Sequence, residues 1–454
     1  MRVVVIGSGI VGASAAYYLT DRGASVTVVD GGYQGEATQA GAGIVCPWVD
    51  HPEDDDWYRL TREGARCYPG LVEALGEDFG YAKVGALLVS EDPAELEPVH
   101  SLLRRRRAEA PEMGEVTEVA APAELFPPLS DTLSALLVPG AARVDGRSVR
   151  DALLQAAVAR GARLHAGTAT LTPDGQVLVH GATGGGLGVP GTRGVAAGPR
   201  EHGAGGAGEE GRSGRDGSWR QAVPLGEADG AGAAGAAGAA GAASAGSVAA
   251  SGADGGGAPR GRVAGGGAGG ADGMGGAGGG LPVEGDAVIV AAGAWTGEVC
   301  RALGAELPVF PRRGQILHAT LEGVDTAWWP IVLPSVGPYL LGFPGSRVVI
   351  GATVEDVGFA PRVTMGGLEE VLQAGLRVAP GLAGATVAET RVGLRPVYAP
   401  GKPLIGELTS RVVVATGLSA YGLTAGPFAG RIAAALALGE RPPIDVTAYA
   451  LPRP

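Results

Sequence analysis

The sequence predicts an α/β fold in which a parallel sheet with helices is interrupted by a mostly antiparallel unit. Three observations support this. The chain opens with a strand, a glycine-rich turn, a helix and a second strand within residues 3–30. The early and late segments alternate strand with helix, whereas the middle segments have the pattern of hairpins. A Gly- and Ala-rich stretch over 181–281 separates the two halves of the chain.

The N-terminal unit carries the most specific motif. Val3–Ile6 is an apolar, β-branched run typical of a buried parallel strand, and Gly7-Ser8-Gly9-Ile10-Val11-Gly12 follows it at once. In a G-x-G-x-x-G motif the first glycine permits the tight turn, the second lets a pyrophosphate approach, and the third allows close helix packing. We therefore predict that Gly7, Gly9, Ile10, Val11 and Gly12 bind a cofactor phosphate at a helix N-terminus.

A second strand over 25–29 ends at Asp30, where a carboxylate can bind a ribose hydroxyl pair. The glycine motif alone would also suit a βαβ unit without a ligand. Strand, turn, helix, strand and acid in this order favour dinucleotide binding, with NAD and FAD both compatible at this point. The following loop, 31–47, is expected to wrap the cofactor, with Thr38 and Gln39 as its polar members.

Composition excludes several classes of function. The chain has 454 residues and a formal net charge of −12, which argues against nucleic acid as a partner. The basic run Arg104–Arg107 is interpreted as a solvated helix face. Three scattered cysteines and six histidines without ligand spacing predict neither disulfides nor a metal site, and favour a reducing cytoplasm. We expect no signal peptide and no membrane-spanning segment.

Local patterning places the remaining elements. Helices are predicted over 54–75, 95–110, 148–160, 368–379 and 424–438. Strands are predicted over 84–90, 163–165, 168–171, 287–290, 309–320, 339–341, 347–350, 389–398 and 412–415. The regular pattern stops at 177–180. The Gly/Ala-rich insertion over 181–281 could be a binding arm, but a surface insertion without a fixed fold is favoured, because such a composition buries little apolar area.

Several blocks together resemble the superfamily of FAD-dependent D-amino-acid oxidases, glycine oxidases and D-amino-acid dehydrogenases. The blocks beyond the N-terminal motif are AAGAW at Ala291–Trp295, RRGQIL at Arg312–Leu317, GATVEDVGF at Gly351–Phe359, GLRPVYAPGKPLIG at Gly393–Gly406, and GLTAGP at Gly422–Pro427. The resemblance implies a glutathione-reductase-type FAD domain (1–83, 143–180, 282–308 and 389–454). It also implies a substrate domain of antiparallel sheet and helices (84–142 and 309–388).

The resemblance also implies site residues. Arg395 lies in the Gly-Leu-Arg-Pro block, where the family's arginine grips the substrate carboxylate; Arg391 is a weaker candidate on the same strand face. Tyr339 is expected to line the substrate pocket, although a core position is an equal alternative. The remaining residues assigned to the cofactor are Ala292, Gly293, Trp295, Gly422, Leu423 and Thr424.

Two departures from the family pattern limit the match. Residues 391–398 contain no cysteine where sarcosine-oxidase relatives attach FAD, so FAD is predicted to be non-covalent. The segment Thr416–Ser419 lacks the histidine that relatives often carry, which weakens a glycine-oxidase assignment. His318 and Cys46 are interpreted as packing residues without a catalytic role.

The predicted reaction is FAD-dependent oxidation of a small amino acid, of the D-amino-acid or glycine type, at its α-carbon–nitrogen bond. Oxygen or a quinone is expected to reoxidise the flavin. The alternatives are a sarcosine-like secondary amine, a tRNA-linked amine or a 2-hydroxy acid as substrate, an NAD-dependent dehydrogenase, and an inactive interaction protein that keeps the fold.

Overall fold

The computed structural model describes residues 1–76, 79–181 and 280–451. In this part of the chain the strands form one six-stranded sheet, one eight-stranded sheet and two sheets of three strands. The predicted α/β architecture, with a parallel unit and a mostly antiparallel unit, is confirmed. The insertion predicted over 181–281 falls almost entirely outside the described residues.

The six-stranded sheet has β1 near its centre. Its strands are β1 (Arg2–Ile6), β2 (Ser25–Asp30), β9 (Arg163–Ala166), β13 (Ala287–Val290), β19 (Leu404–Glu407) and β20 (Val412–Thr416). They lie in the order β19-β20-β13-β1-β2-β9, and all neighbours are parallel except β19 and β20. Strands covered on both faces need continuous apolar runs, which explains the buried valines of β1.

Helices cover this sheet and the adjoining loops. They are α1 (Ile10–Asp21), α2 (Ala37–Ala40), α3 (Asp55–Leu75), α5 (Gly146–Ala159), α6 (Thr296–Cys300) and α8 (Gly422–Ala437). Helices α1 and α8 pack closely: a Cβ on Gly430 would lie 2.5 Å from Ser14 Cβ and 2.6 Å from the Val11 carbonyl oxygen. Asp54 caps α3, because its Oδ1 accepts from the amides of Asp56 and Trp57 at 3.1 Å each.

The eight-stranded sheet contains the strands β5 (Ala86–Ser90), β6 (Thr117–Val119), β7 (Ser134–Val138), β14 (Val309–Thr320), β15 (Ile331–Pro334), β16 (Tyr339–Phe343), β17 (Arg347–Gly351) and β18 (Thr386–Tyr398). Their order is β18-β14-β17-β16-β15-β5-β7-β6, antiparallel except between β15 and β5. Helices α4 (Glu97–Arg106) and α7 (Met365–Val378) belong to this part of the chain. The long strand β18 pairs with β14 here, although residues 389–454 are predicted to join the FAD domain; the domain boundaries stay a prediction.

Two small antiparallel sheets complete the described fold. One contains β10 (Thr168–Leu171), β11 (Val177–His180) and β12 (Leu281–Val283), so a regular strand occupies 177–180, where the sequence pattern was interpreted as ending. The other contains β3 (Ile44–Val45), β4 (Ala82–Lys83) and β8 (Ala142–Arg143).

The interpretation of Arg104–Arg107 as a solvated face is wrong for Arg106. Its side chain is only 7% exposed, and its guanidinium donates to the carbonyl oxygens of Trp48 at 2.7 Å and Asp50 at 2.6 Å. A buried arginine that satisfies carbonyl groups fixes the loop before α3, and no periodicity in the sequence signals that contact.

Candidate functional site

A cavity of about 1190 Å³ lies where the two large sheets meet. One wall comes from the loops that follow β1, β2, β13 and β20, and the opposite wall from strands β14, β16 and β18. In a sheet whose strand order diverges on either side of β1, ligands bind at the carboxyl ends of the strands. The position of the cavity agrees with that rule.

The turn after β1 requires glycine for steric reasons. Gly7 has φ +99°, and a Cβ at this position would clash with the carbonyl group of Ala291. Gly12 does not line the cavity. It lies where α1 crosses the turn, and a Cβ there would clash with the Gly7 carbonyl. The two glycines thus let the turn, α1 and the loop after β13 converge.

The N-terminus of α1 opens into the cavity. Gly9, Ile10 and Val11 line it, and Gly9 has no side chain to cap the helix. The Ile10 amide donates to Thr38 Oγ1 at 3.0 Å, which brings the predicted Thr38 to the same cavity wall. Gly9 leaves the other first-turn amides without a side-chain cap, and such amides at a helix N-terminus are suited to phosphate.

Asp30 ends β2 at the cavity wall, as expected. Its two carboxylate oxygens accept from the backbone amides of Ser8 at 2.6 Å and Gly32 at 2.7 Å. These bonds fix the carboxylate beside the glycine turn, and each oxygen keeps a further lone pair for a hydroxyl donor.

The AAGAW block lies directly after β13. Ala292, Gly293 and Trp295 all line the cavity. The Gly293 carbonyl accepts from Thr416 Oγ1 at 2.9 Å, and the Trp295 ring stacks on Tyr33 with centroids 5.2 Å apart. This block therefore joins the ends of β13 and β20 on one side of the cavity.

The first turn of α8 borders the cavity from another direction. Gly422, Leu423 and Thr424 line it, and Thr424 Oγ1 donates to the Ile44 carbonyl at 2.9 Å. A Cβ on Gly41 would lie 2.9 Å from Leu423 Cδ1. The N-terminus of α8 is thus held against the loop that begins after β2, where its positive end can face an anionic ligand.

These features fit FAD. The glycine turn, the uncapped α1 and Asp30 form a cradle for a pyrophosphate and a ribose. The cavity continues from there past α8 to the eight-stranded sheet, which leaves room for the flavin. Every residue assigned to the cofactor from the sequence, apart from Gly12, borders this cavity; Gln39, the other polar residue of the loop after β2 named above, does not.

Arg395 reaches the cavity from β18. Its Nη1 donates to the carbonyl oxygens of Thr353 at 3.0 Å and Arg313 at 3.3 Å. In the described part of the chain no carboxylate lies within 4.0 Å of this guanidinium. Burial lowers its pKa, yet an arginine stays charged. A sequestered cation without an acidic partner is suited to an anionic ligand.

Tyr339, at the start of β16, lines the cavity beside Arg395. Burial raises the pKa of its hydroxyl to about 12, although a hydrogen bond with Arg395 opposes that shift. The Tyr339 hydroxyl lies 2.9 Å from the Cβ that Gly351 would carry, so a glycine also makes space on this wall. The structure brings the two predicted substrate residues together.

Three other residues considered from the sequence have different surroundings. Arg391 pairs with Glu389 and does not line the cavity. His318 is buried outside the cavity, and burial lowers its pKa to about 4. Cys46 borders the cavity, although its sequence context indicated packing alone.

The cavity wall also contains an acid–aromatic pair, Asp50 and Tyr421, that is not predicted from the sequence. Asp50 hydrogen-bonds with Tyr421, and the side chain of Tyr421 also packs against His51 with ring centroids 4.4 Å apart. Burial is the main cause that raises the pKa of Asp50 to about 7. Tyr421 directly precedes the Gly422 block, so that motif could have drawn attention to it; the loop around Asp50 carries no comparable signal.

The described residues contain neither a metal-binding cluster nor a membrane-spanning helix. No group of three or more His, Cys, Asp or Glu side chains is arranged to hold a metal ion. No helix in the same ranges is both long enough and apolar enough to cross a membrane.

Comparisons with known proteins agree with the geometry. A Bacillus subtilis (strain 168) protein named as the uncharacterized oxidoreductase YurR is 34% identical over 457 residues, covering 98% of this chain and 97% of that protein. The crystal structure of iminodiacetate oxidase from Chelativorans sp. BNC1 is 36% identical, covers 99% of this chain and 98% of that one, and superposes with a TM-score of 0.76. A glycine oxidase of Pseudomonas putida is 32% identical over 167 residues, 36% of this chain and 45% of that enzyme.

The profile of the family described as DAO, FAD dependent oxidoreductase matches residues 2–198 and 259–436. That match covers well over half of the chain and includes the glycine turn, Arg395 and the first turn of α8. The resemblance inferred from the sequence blocks and the FAD requirement are both confirmed. The chain belongs to the DAO family of FAD-dependent oxidoreductases.

Proposed function

We propose that this oxidoreductase oxidises the α-carbon–nitrogen bond of a small amino acid of the D-amino-acid or glycine type, using non-covalent FAD. The observation that carries the proposal is Arg395, a charged guanidinium on the cavity wall with no acidic partner in the described residues. A planar guanidinium binds the two oxygens of a carboxylate through parallel hydrogen bonds.

Arg395 and Tyr339 orient the substrate in this scheme. The guanidinium holds the α-carboxylate, and the neighbouring Tyr339 hydroxyl, protonated at neutral pH, donates to one of its oxygens. Two contacts at one end fix the direction of the α-hydrogen, and orientation alone lowers the barrier of a bimolecular step. The apolar side chains of Ile316 and Leu333 on the same walls exclude water.

FAD held in this cavity would supply the two-electron oxidation of the α-carbon–nitrogen bond, and the imine product would be open to hydrolysis by water. The residues of this chain then have two further tasks. The cradle around Gly9 and Asp30 would hold the adenine half of the cofactor. The first-turn amides of α8, at Gly422–Thr424, would face the negative charge that accompanies reduction.

A secondary amine is the second candidate substrate. It is favoured by the 36% identity to iminodiacetate oxidase over 99% of this chain, whereas the 32% identity to the Pseudomonas putida glycine oxidase covers 36% of it. Both substrate types carry an α-carboxylate for Arg395, so the anchor does not distinguish them. Oxygen and a quinone both suit the reoxidation step, and we propose a cytoplasmic location in keeping with three cysteines that form no disulfide in the described residues.

Purified protein tests the proposal. It should be yellow, release FAD on acid precipitation, and bleach anaerobically when glycine, a D-amino acid or sarcosine is added. The products should be a 2-oxo acid and ammonia or the released amine. A colourless protein that FAD cannot reconstitute would contradict the proposal.

A further inference from the structure

Helix α7 presents two opposite charges to the cavity. Glu370, Ala374 and Arg377 line it together with Val371. The spacing of four and three residues places Glu370, Ala374 and Arg377 on one helix face. Neither charged residue belongs to the anchor around Arg395, and both are exposed at the rim.

The packing of α7 places the two charges at different ends of the rim. Val378, next to Arg377, lies 3.9 Å from the Cβ that Gly337 would carry, in the loop that leads to Tyr339. Near the other end of the helix, Thr364 Oγ1 accepts from Gln315 Nε2 at 3.0 Å. Arg377 thus lies near the Gly337–Tyr339 segment of the cavity wall, and Glu370 lies nearer to the helix end that packs on Gln315, a residue outside the cavity lining.

Arg377 is free to bind an anion. In the described ranges no carboxylate lies within 4.0 Å of its guanidinium. Glu370 is seven residues away along the helix, about 10 Å at 1.5 Å per residue, too far for an ion pair. Burial and the neighbouring Glu355 raise the pKa of Glu370. The rim therefore offers one uncommitted cation on the side of the substrate tyrosine.

We propose that Arg377 binds a second carboxylate of the substrate, so that the substrate class is an amino acid whose nitrogen carries a carboxyalkyl group. This inference rests on the proposed function, because Arg395 must hold the first carboxylate. An iminodicarboxylate has two carboxylates on either side of the reacting nitrogen. The two arginines of the cavity then bind opposite ends of one substrate.

The charges predict opposite effects for two matched variants. Arg377→Gln removes the cation and should lower kcat/KM for iminodiacetate about tenfold, with kcat/KM for sarcosine changed less than twofold. Glu370→Gln removes a negative charge that repels the substrate carboxylate. This change should raise the ratio of kcat/KM for iminodiacetate to kcat/KM for sarcosine about two- to threefold. Arg362→Gln, which removes an exposed arginine outside the cavity, is the control and should leave the ratio unchanged.

Anaerobic flavin reduction with both substrates separates the possible failures. If wild-type protein is reduced by sarcosine but not by iminodiacetate, or if Arg377→Gln leaves the ratio unchanged, the assignment of Arg377 is overturned while the proposed function stands. If no amine reduces the flavin of the wild-type protein, the proposed function fails and the inference fails with it. A tenfold lower ratio in Arg377→Gln alone, with the flavin spectrum preserved, supports the second carboxylate site.

Discussion

The guanidinium of Arg395 lies directly over Gly314 of the neighbouring strand. A Cβ on Gly314 would come within 2.6 Å of both Cζ and Nη1 of that side chain. Strands β14 and β18 pair with Gly314 opposite Gly393. The Arg395 side chain therefore extends over a position where neither strand carries a side chain. Gly314 therefore leaves the space that the Arg395 guanidinium occupies, whereas a Cβ on Gly393 would meet Ala40 and Ala37.

Gly314→Ala should displace the Arg395 guanidinium without removing it. We expect kcat/KM for the amino-acid substrate to fall by about tenfold, since a misplaced anchor loses orientation at the reacting carbon. FAD content should stay at the wild-type value. Steady-state kinetics on the flavin-loaded variant measures this. Gly366→Ala, at a position with open space around it, is the control. Equal kinetics in the two variants would contradict the role of Gly314.

Arg395→Ala should weaken substrate capture much more severely. Removing one partner of a buried charge pair costs about 3 kcal/mol, so kcat/KM should fall by at least about 100-fold, with an unchanged flavin spectrum. Arg391→Ala is the matched control, because Arg391 is an arginine on the same strand face that pairs with Glu389 outside the cavity. A similar loss in both variants, or unchanged turnover in Arg395→Ala, would remove Arg395 from the site.

The sequence predicts those parts of the site that depend on local geometry. The turn at Gly7 needs a positive φ, α1 needs a close approach at Gly12, and Asp30 must end β2; spacing along the chain determines all three. Apolar runs likewise predict the strands of the parallel sheet. The resemblance of the Gly-Leu-Arg-Pro block to the family also predicts the role of Arg395, although the neighbours of this residue come from distant segments.

The sequence does not predict contacts that only tertiary packing creates. Arg106 lies in a basic run, yet it is buried by a loop about 55 residues earlier in the chain. Asp50 acquires its raised pKa from burial beside Tyr421, about 370 residues away. Strand β18 joins the eight-stranded sheet because β14 pairs with it over its whole length, which a strand pattern alone cannot show.

Tyr339→Phe tests the hydroxyl beside Arg395. Losing one hydrogen bond to a carboxylate should lower kcat/KM by about tenfold, which corresponds to about 1.4 kcal/mol. Because burial raises the pKa of Tyr339 to about 12, the hydroxyl keeps its proton up to pH 10. The pH profile of kcat/KM between pH 6 and 10 should therefore have the same shape in both proteins. A limb near pH 9 that disappears in the variant would contradict this assignment.

Glu355→Gln should destabilise the protein near neutral pH. Burial would raise the pKa of Glu355, but hydrogen bonds from Arg313, Gln315 and Thr353 outweigh it and lower the pKa to about 2. A lowered pKa in the folded state contributes stability above pH 4.5 that is lost as the pH falls toward 2. We expect a loss of about 1 to 2 kcal/mol in unfolding free energy at pH 7, allowing for solvent screening.

Urea denaturation of Glu355→Gln at pH 7 and pH 3.5 measures that effect, and the difference from wild type should shrink at pH 3.5. Asp356→Asn is the control, since Asp356 pairs with Arg312 in an exposed position and should change stability little. A difference that stays constant between the two pH values would refute a contribution from the charged carboxylate.

Asp50→Asn should change stability with the opposite dependence on pH. In the folded wild type the pKa of Asp50 is about 7, above its usual value of 3.8. Between these values the folded state holds a proton that the unfolded state has lost, so wild-type stability decreases as the pH rises. The variant lacks this term and should gain about 1 to 3 kcal/mol relative to wild type between pH 4 and 8. If the unfolding free energies of wild type and Asp50→Asn change in parallel with pH, the raised pKa of Asp50 would be contradicted.

Reduction of the flavin under anaerobic conditions shows whether a substrate must carry both a nitrogen and an α-carboxylate. Glycine, sarcosine, a D-amino acid, glycolate and methylamine are each added to the oxidised protein. The absorbance of the flavin is then recorded to detect its reduction. Arg395 and hydride transfer from an amine together predict bleaching by at least one of the compounds that carry both nitrogen and an α-carboxylate. Glycolate, which lacks the nitrogen, and methylamine, which lacks the carboxylate, should leave the flavin oxidised. Bleaching by glycolate alone, or by methylamine as fast as by sarcosine, would contradict the proposed oxidation of an amino acid anchored by Arg395.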